Sequence, residues 1–167
     1  VEKLPAILPD NPHRIIHIGR LVKWKRIDLI LSATAALKTK YPDIELIIVG
    51  DGPEERRLRE IVQELRLEGA VKFAGAVYDP VSLGQYLMSS SVYVLAGMGG
   101  LSINEAMAFS KPVICSVGDG TEKALVIDGY NGWYFQPGDD ESLANKIDLL
   151  FSDPELLSEM GKNSEKR

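Results

Sequence analysis

Cysteine, blocks of positive charge and long apolar runs are what this sequence has little of. Its one cysteine, Cys115, excludes an intramolecular disulfide and fits a reducing compartment. Nineteen lysines and arginines face 24 aspartates and glutamates, giving a net charge of −5, and no basic stripe gathers the cations. That balance argues against a general nucleic-acid binder. No apolar run approaches the roughly 18 residues that a membrane-spanning helix needs, and no signal-peptide pattern is visible. The expectation is a cytoplasmic domain without membrane contact. The two histidines, His13 and His17, have no metal-like partners, and no acidic D-x-D motif is present. A Walker A lysine and the G-x-G-x-x-G dinucleotide fingerprint are missing too.

What is there is a regular alternation. The 167 residues, 45% hydrophobic, suffice for one globular domain with a sizeable core, spanning 1–167. Apolar runs at 14–18, 45–49, 71–73, 92–95, 112–115 and 133–135 read as strands. Between them lie helical patterns at 27–37, after Pro53, at 81–89 and at 101–109, with two more closing the chain from about Asp140 and from Pro154. Strands alternating with helices predict an α/β fold, a Rossmann-like doubly wound parallel sheet with helices on both faces. Strand runs that are apolar throughout, not alternately, agree with burial on both faces. In such sheets ligands bind beyond the carboxyl ends of the strands.

The chemistry-bearing residues fall at those ends. Glycine stops four strands: Gly19 before Arg20, Gly50 and Gly52, Gly75, and the loop Gly97-Met98-Gly99-Gly100. Plain turn chemistry accounts for any one of them. The last loop runs into a helix, whose free N–H groups and positive dipole end suit a phosphate. Arg20 and Lys25 follow the first strand on the same predicted edge and together suit a diphosphate. The alternative is a solvated basic cluster with Lys23 and Arg26. Glu105, among Ile103, Ala106, Met107 and Phe109, reads either as a partly sheltered acceptor for ribose hydroxyls or as a surface glutamate. His17 reads as a satisfied interior residue and Cys115 as a small core residue without an activating histidine. No nucleophile–base pair stands out.

Five segments then carry a resemblance: GRLVKWKRIDLILSA, IIVGDGPEERRL, VKFAG, GLSINEAMAFSKPVI and NGWYFQPGDDESLANKI. In this order they resemble the C-terminal, nucleotide-sugar-binding half of the group 1 (family 4) retaining GT-B glycosyltransferases, from about Arg14 to the end. The resemblance implies a donor-binding domain whose partner, an N-terminal acceptor-binding domain, has no counterpart in these residues. It implies that a UDP or GDP sugar is the donor, that no metal or other cofactor is needed, and that polysaccharide or glycolipid synthesis is the setting. A peripheral place of the parent enzyme at the inner face of a membrane is compatible with this. By the same resemblance Arg20 and Lys25 contact the diphosphate and stabilise the departing nucleotide. Gly99, Gly100 and Leu101 form the loop whose amides cradle the distal phosphate, beside Gly19. Glu105 holds the ribose, and Lys72 and Phe73 lie in the segment bordering the base. Three positions depart from the pattern. Gly97 stands where the first glutamate of an E-x7-E motif usually approaches the donor sugar, and Arg26 and Ser110 stand where glycine is usual. Two other functions fit less of the pattern: a non-catalytic nucleotide-binding module, favoured by Gly97, and a sugar-nucleotide epimerase, for which acid/base side chains are wanting.

Overall fold

In the computed structural model, residues 8–99, 101–116 and 125–166 are described. Six strands form: β1 (Arg14–Ile18), β2 (Glu45–Val49), β3 (Val71–Gly75), β4 (Val92–Leu95), β5 (Val113–Ser116) and β6 (Gly132–Phe135). Among the described residues these helices accompany them: α1 (Ile27–Leu37), α2 (Glu55–Glu64), α3 (Pro80–Met88), α4 (Leu101–Ala108), α5 (Asp140–Phe151) and α6 (Pro154–Lys166). The strands make one sheet in the order β3-β2-β1-β4-β5-β6, and every neighbouring pair is parallel. The chain thus runs outward from β1 to β3, crosses back over the centre, and runs outward again from β4 to β6. The doubly wound parallel architecture is the one expected from the sequence.

Side chains alternate between the two faces of a strand, so a strand covered on both sides must be apolar at every position. On one face Ile15, Leu46, Ile48, Val94 and Ile114 share a core with Leu31 and Leu37 of α1 and with Leu143 and Ile147 of α5. On the other, Ile16, Ile47, Tyr93, Leu95 and Val113 pack with Tyr86 and Leu87 of α3 and Ile103 and Met107 of α4. At about 25 cal/mol per Å² of buried apolar surface, these two layers supply the main force that holds the helices to the sheet.

Local signals set the element ends. Asp79 caps α3, accepting from the Val81 amide at 3.2 Å and the Ser82 hydroxyl at 2.8 Å, with Pro80 in the first turn. Asp139 caps α5 through the Ser142 amide at 3.1 Å. The fifth strand begins at Val113, one residue later than expected. Pro112 has no N–H for the ladder and contributes only its carbonyl, which accepts from the Tyr93 amide at 3.1 Å. A 3-10 turn at Lys23–Lys25, which periodicity did not reveal, separates β1 from α1.

Candidate functional site

The carboxyl edge at the centre of the sheet, where β1 and β4 part company in the winding, holds the residues of interest. Past the end of β1 the chain stays paired to its neighbour: the Gly19 amide donates to the Val49 carbonyl at 2.9 Å and the Leu21 amide to the Asp51 carbonyl at 2.9 Å. This extension carries Arg20, exposed, over the edge of the sheet. The 3-10 turn then brings half-buried Lys25 back toward the same edge. A backbone bond ties the turn to the loop after β4, the Met98 amide donating to the Trp24 carbonyl at 2.9 Å.

Two adjoining hollows open there. One, of about 360 Å³, lies between Gly19, Arg20, Lys25, Gly99, Ser102 and Glu105, with Trp24 on its rim. The other, of about 350 Å³, shares Ile18, Gly19 and Arg20 and extends past Gly50 and Asp51 to Ala76, Val77 and Tyr78. Arg20 stands at the junction. The Lys25 ammonium reaches across to the β4–α4 loop, its Nζ lying 2.4 Å from where a β-carbon on Gly99 would stand. Gly99 has φ +99, a backbone state that side chains disfavour, so the conformation of the loop favours glycine there. Helix α4 starts at Leu101, just beyond, so that its N-terminal end, the positive end of its dipole, adjoins this hollow. Its start is pinned by Ser102, whose hydroxyl bonds the Tyr93 hydroxyl and donates to the Ile18 carbonyl at 3.0 Å. Cation, cation and helix end therefore surround one hollow, an arrangement that attracts an anion.

The structure thus brings Gly19, Arg20, Lys25, Gly99 and Glu105 together. Arg26 is separated from the cation pair: its guanidinium donates to both Asp28 oxygens at 3.1 Å. Glu105 is exposed, not sheltered. Ile103, Ala106 and Met107 form the inward stripe of α4, and residue 105 falls on the opposite side of a 3.6-residue turn. Lys72 and Phe73 line neither hollow. Phe73 packs toward α2 beneath the Arg59 guanidinium, 4.3 Å from the ring centre, and the three residues after β3 line the second hollow in their place. Gly100 lies outside the described residues. Ser102, Trp24 and Tyr78 went unnoticed in the sequence, since nothing in their local pattern distinguishes a lining side chain from an exposed one.

Gly97 is buried behind the cation turn. A β-carbon on it would stand 1.9 Å from the Trp24 carbonyl oxygen and 2.6 Å from Lys25 Cα. Under the hollow lies His17, fully buried, its Nδ1 2.9 Å from the Val94 carbonyl and its Nε2 without a partner. It is therefore only half satisfied, contrary to the sequence-based expectation. Burial pushes the imidazole down to about 4, Lys25 adding to the effect and the Val94 hydrogen bond opposing it. Cys115 is fully buried in the core beside β4. Among the described residues no group of three or more histidines, cysteines, aspartates or glutamates is placed to hold a metal ion. Nor is any described helix long and apolar enough to cross a membrane.

Comparison with known proteins gives the family. The family model for glycosyl transferases group 1 matches residues 3–167. A Haemophilus influenzae protein described as an uncharacterized glycosyltransferase is 35% identical, the match covering 95% of this chain and 47% of the relative. The alpha-D-kanosaminyltransferase of Streptomyces kanamyceticus is 27% identical over 94% of this chain and 41% of its own length. This chain thus spans less than half the length of these two relatives. Among solved structures, Anabaena HepE in complex with UDP superposes with a TM-score of 0.83 at 28% identity, covering 93% of this chain and 43% of HepE. The C-terminal domain of LpcC, a group 1 glycosyl transferase from Francisella tularensis, superposes with a TM-score of 0.84 at 25% identity, covering 94% of this chain and 84% of that domain. With its fold, its cation-lined edge and the match over nearly all its length, the chain belongs to the group 1 glycosyl transferases, built on the Rossmann-like plan of the GT-B enzymes.

Proposed function

We propose that this chain is the donor-binding part of a retaining glycosyltransferase that takes its sugar from a nucleoside-diphosphate sugar. The observation that carries the reading is the convergence of Arg20, Lys25 and the start of α4 on one hollow, with Glu105 on its wall. Two phosphates carry more charge than one cation offsets. A forked guanidinium, an ammonium and a row of helix amides together match them. The second hollow continues past Arg20 along the residues after β3 and has room for a base, leaving Glu105 within the first for the ribose hydroxyls. UDP bound to the related HepE supports the assignment.

In this reading the domain's share of catalysis is electrostatic. As the bond from the anomeric carbon to the diphosphate oxygen breaks, negative charge grows on the leaving phosphate. Arg20 and Lys25, fixed before the reaction starts, stabilise that charge more than they stabilise the bound substrate. A metal ion is not needed for this step. The non-catalytic alternative, a nucleotide-binding module, draws its support from Gly97, which brings no carboxylate to the sugar. Turnover by the full-length protein separates the two.

Titration calorimetry tests the shared premise. Nucleoside diphosphates should bind more tightly than the corresponding monophosphates, and Arg20→Ala should cost about 1.5–3 kcal/mol of diphosphate affinity, the value of a charged hydrogen bond. Equal affinity for UDP and UMP, and for GDP and GMP, would overturn the diphosphate assignment.

A further inference from the structure

We propose that Tyr93 is a positioning residue for the anion hollow: through Ser102, its buried hydroxyl holds the start of α4 against the end of β1. The ligand part of the test below rests on the diphosphate reading, and the ligand-free part does not. Tyr93 stands in β4, fully buried, in the core layer that the sheet shares with α3 and α4. Its hydroxyl lies 3.2 Å from the Ile18 carbonyl oxygen and bonds the Ser102 hydroxyl, which lies 3.0 Å from the same carbonyl. Three oxygens therefore meet, from the last residue of β1, from β4 and from the first turn of α4.

The two hydroxyl hydrogens are both spent inside this triangle. The Ile18 carbonyl can only accept, and two hydroxyl oxygens in contact need a hydrogen between them. Either Tyr93 donates to Ser102 and Ser102 to Ile18, or Ser102 donates to Tyr93 and Tyr93 to Ile18. Burial pushes the Tyr93 hydroxyl above its ordinary value, so it keeps its hydrogen in both arrangements. In neither has Ser102 a hydrogen left for a phosphate in the hollow that it lines. Its part is placement. Three of the four residues from 97 to 100 are glycine, so the loop into α4 has wide backbone freedom and does not fix the helix start by itself. Ile18 directly precedes Gly19 and Arg20, so one carbonyl ties the segment that carries the guanidinium to the helix end adjoining the same hollow. The attraction between a helix end and an anion falls off within a turn, and a small shift of α4 weakens it.

Calorimetry with UDP well below the unfolding temperature, paired with urea denaturation, tests the assignment on the whole chain. The variants are Tyr93→Phe, Ser102→Ala, Ser102→Thr and the double Tyr93→Phe, Ser102→Ala. Each single change leaves one hydroxyl within reach of the Ile18 carbonyl, so the buried acceptor keeps a donor. Tyr93→Phe should weaken UDP binding about two- to fivefold, within the range of a helix-end contact, and Ser102→Ala at least as much. Ser102→Thr keeps the hydroxyl and should bind UDP as the parent does. In the Ser102→Ala background, Tyr93→Phe should lower the urea midpoint, since both hydroxyls that reach Ile18 are gone, yet leave UDP affinity where it was. General damage predicts instead that affinity follows stability in both backgrounds. Unchanged UDP affinity in Tyr93→Phe, the same loss with and without Ser102, or no recovery in Ser102→Thr would overturn the proposal. Hydrogen exchange of the ligand-free protein gives a second reading. Amides of Leu101–Ala108 should exchange faster in Tyr93→Phe while those of Pro80–Met88 keep their rates, and unchanged protection of α4 would also overturn it. Should UDP fail to bind the parent protein, the diphosphate reading falls, and hydrogen exchange alone decides the role of Tyr93.

Discussion

Trp24 presents its carbonyl oxygen 1.9 Å from where a β-carbon on Gly97 would stand, and that carbonyl already accepts the Met98 amide. The loop after β4 and the turn that carries Lys25 are therefore in backbone contact, and any side chain at 97 must force them apart. Gly97→Ala should destabilise the protein by about 1–3 kcal/mol, the usual cost of overpacking, and should weaken UDP binding because the Lys25 turn moves with the clash. Urea denaturation and calorimetry check both, and parent-like stability would refute the steric account. A glutamate at 97 meets the same obstacle, so restoring the family's usual residue is not a simple reversion. The glycine run was plain in the sequence, but its division of labour was not. Gly97 makes room for a carbonyl and Gly99 for an ammonium, and both neighbours come from a turn more than seventy residues earlier. The two other departures from the family pattern share a physical cause. Arg26 and Ser110 sit at φ 48 and 60, the region that favours glycine. Each has a compensating bond: Arg26 to Asp28, and the Ser110 hydroxyl to Glu165 at 2.6 Å.

Helix α2 closes in a two-bond C-terminal motif, the Leu67 amide donating to the Val62 carbonyl at 2.9 Å and the Arg66 amide to Gln63 at 3.1 Å. The motif places Arg66 at φ 58, where an L side chain is strained by about 1–2 kcal/mol and glycine is not. Arg66 is exposed and takes part in none of the ion pairs of α2. Arg66→Gly should therefore stabilise the chain by about 1 kcal/mol net of the extra unfolded-state freedom of glycine, seen as a rise in urea midpoint with unchanged slope. A fall in the midpoint would show that the arginine side chain contributes more than its backbone costs. Element identity was legible because apolar runs and 3.6-residue stripes differ visibly. The 3-10 turn was not, being three residues long and without a buried side chain of its own. The second hollow was missed for a related reason. Strand parity turns Phe73 toward α2, level with Ile48 in the register, while lining falls to Ala76, Val77 and Tyr78, which belong to no strand or helix.

At the scale of the molecule, the strand order places the proposed ligand contacts on one edge of one sheet. A donor held there still lacks an acceptor in line with its anomeric carbon, and such alignment accounts for roughly 7–11 kcal/mol of barrier lowering. The 167-residue chain alone should bind UDP yet form no glycoside in multiple-turnover assays. Product formation without a further domain would refute that division of roles. The fold class was readable because parallel sheets impose apolar strands and helical crossovers together, two patterns that reinforce each other. Which edge residues converge was readable only in part, since convergence depends on turns and not on periods.

The central position of β1 also has a consequence in time. β2 follows β1 closely in the chain, but the strand on its other side, β4, is not complete until Leu95. During synthesis at roughly 5–20 residues per second, several seconds pass between the appearance of the two. Throughout that interval the inner border of β1, carrying Ile15 and Ile16, has no mate on the ribosome. The nascent chain is then an unfinished ribbon with a sticky seam, and shielding that seam until Val92 emerges is a task for chaperones or for slow collapse of α1 and α3 over it.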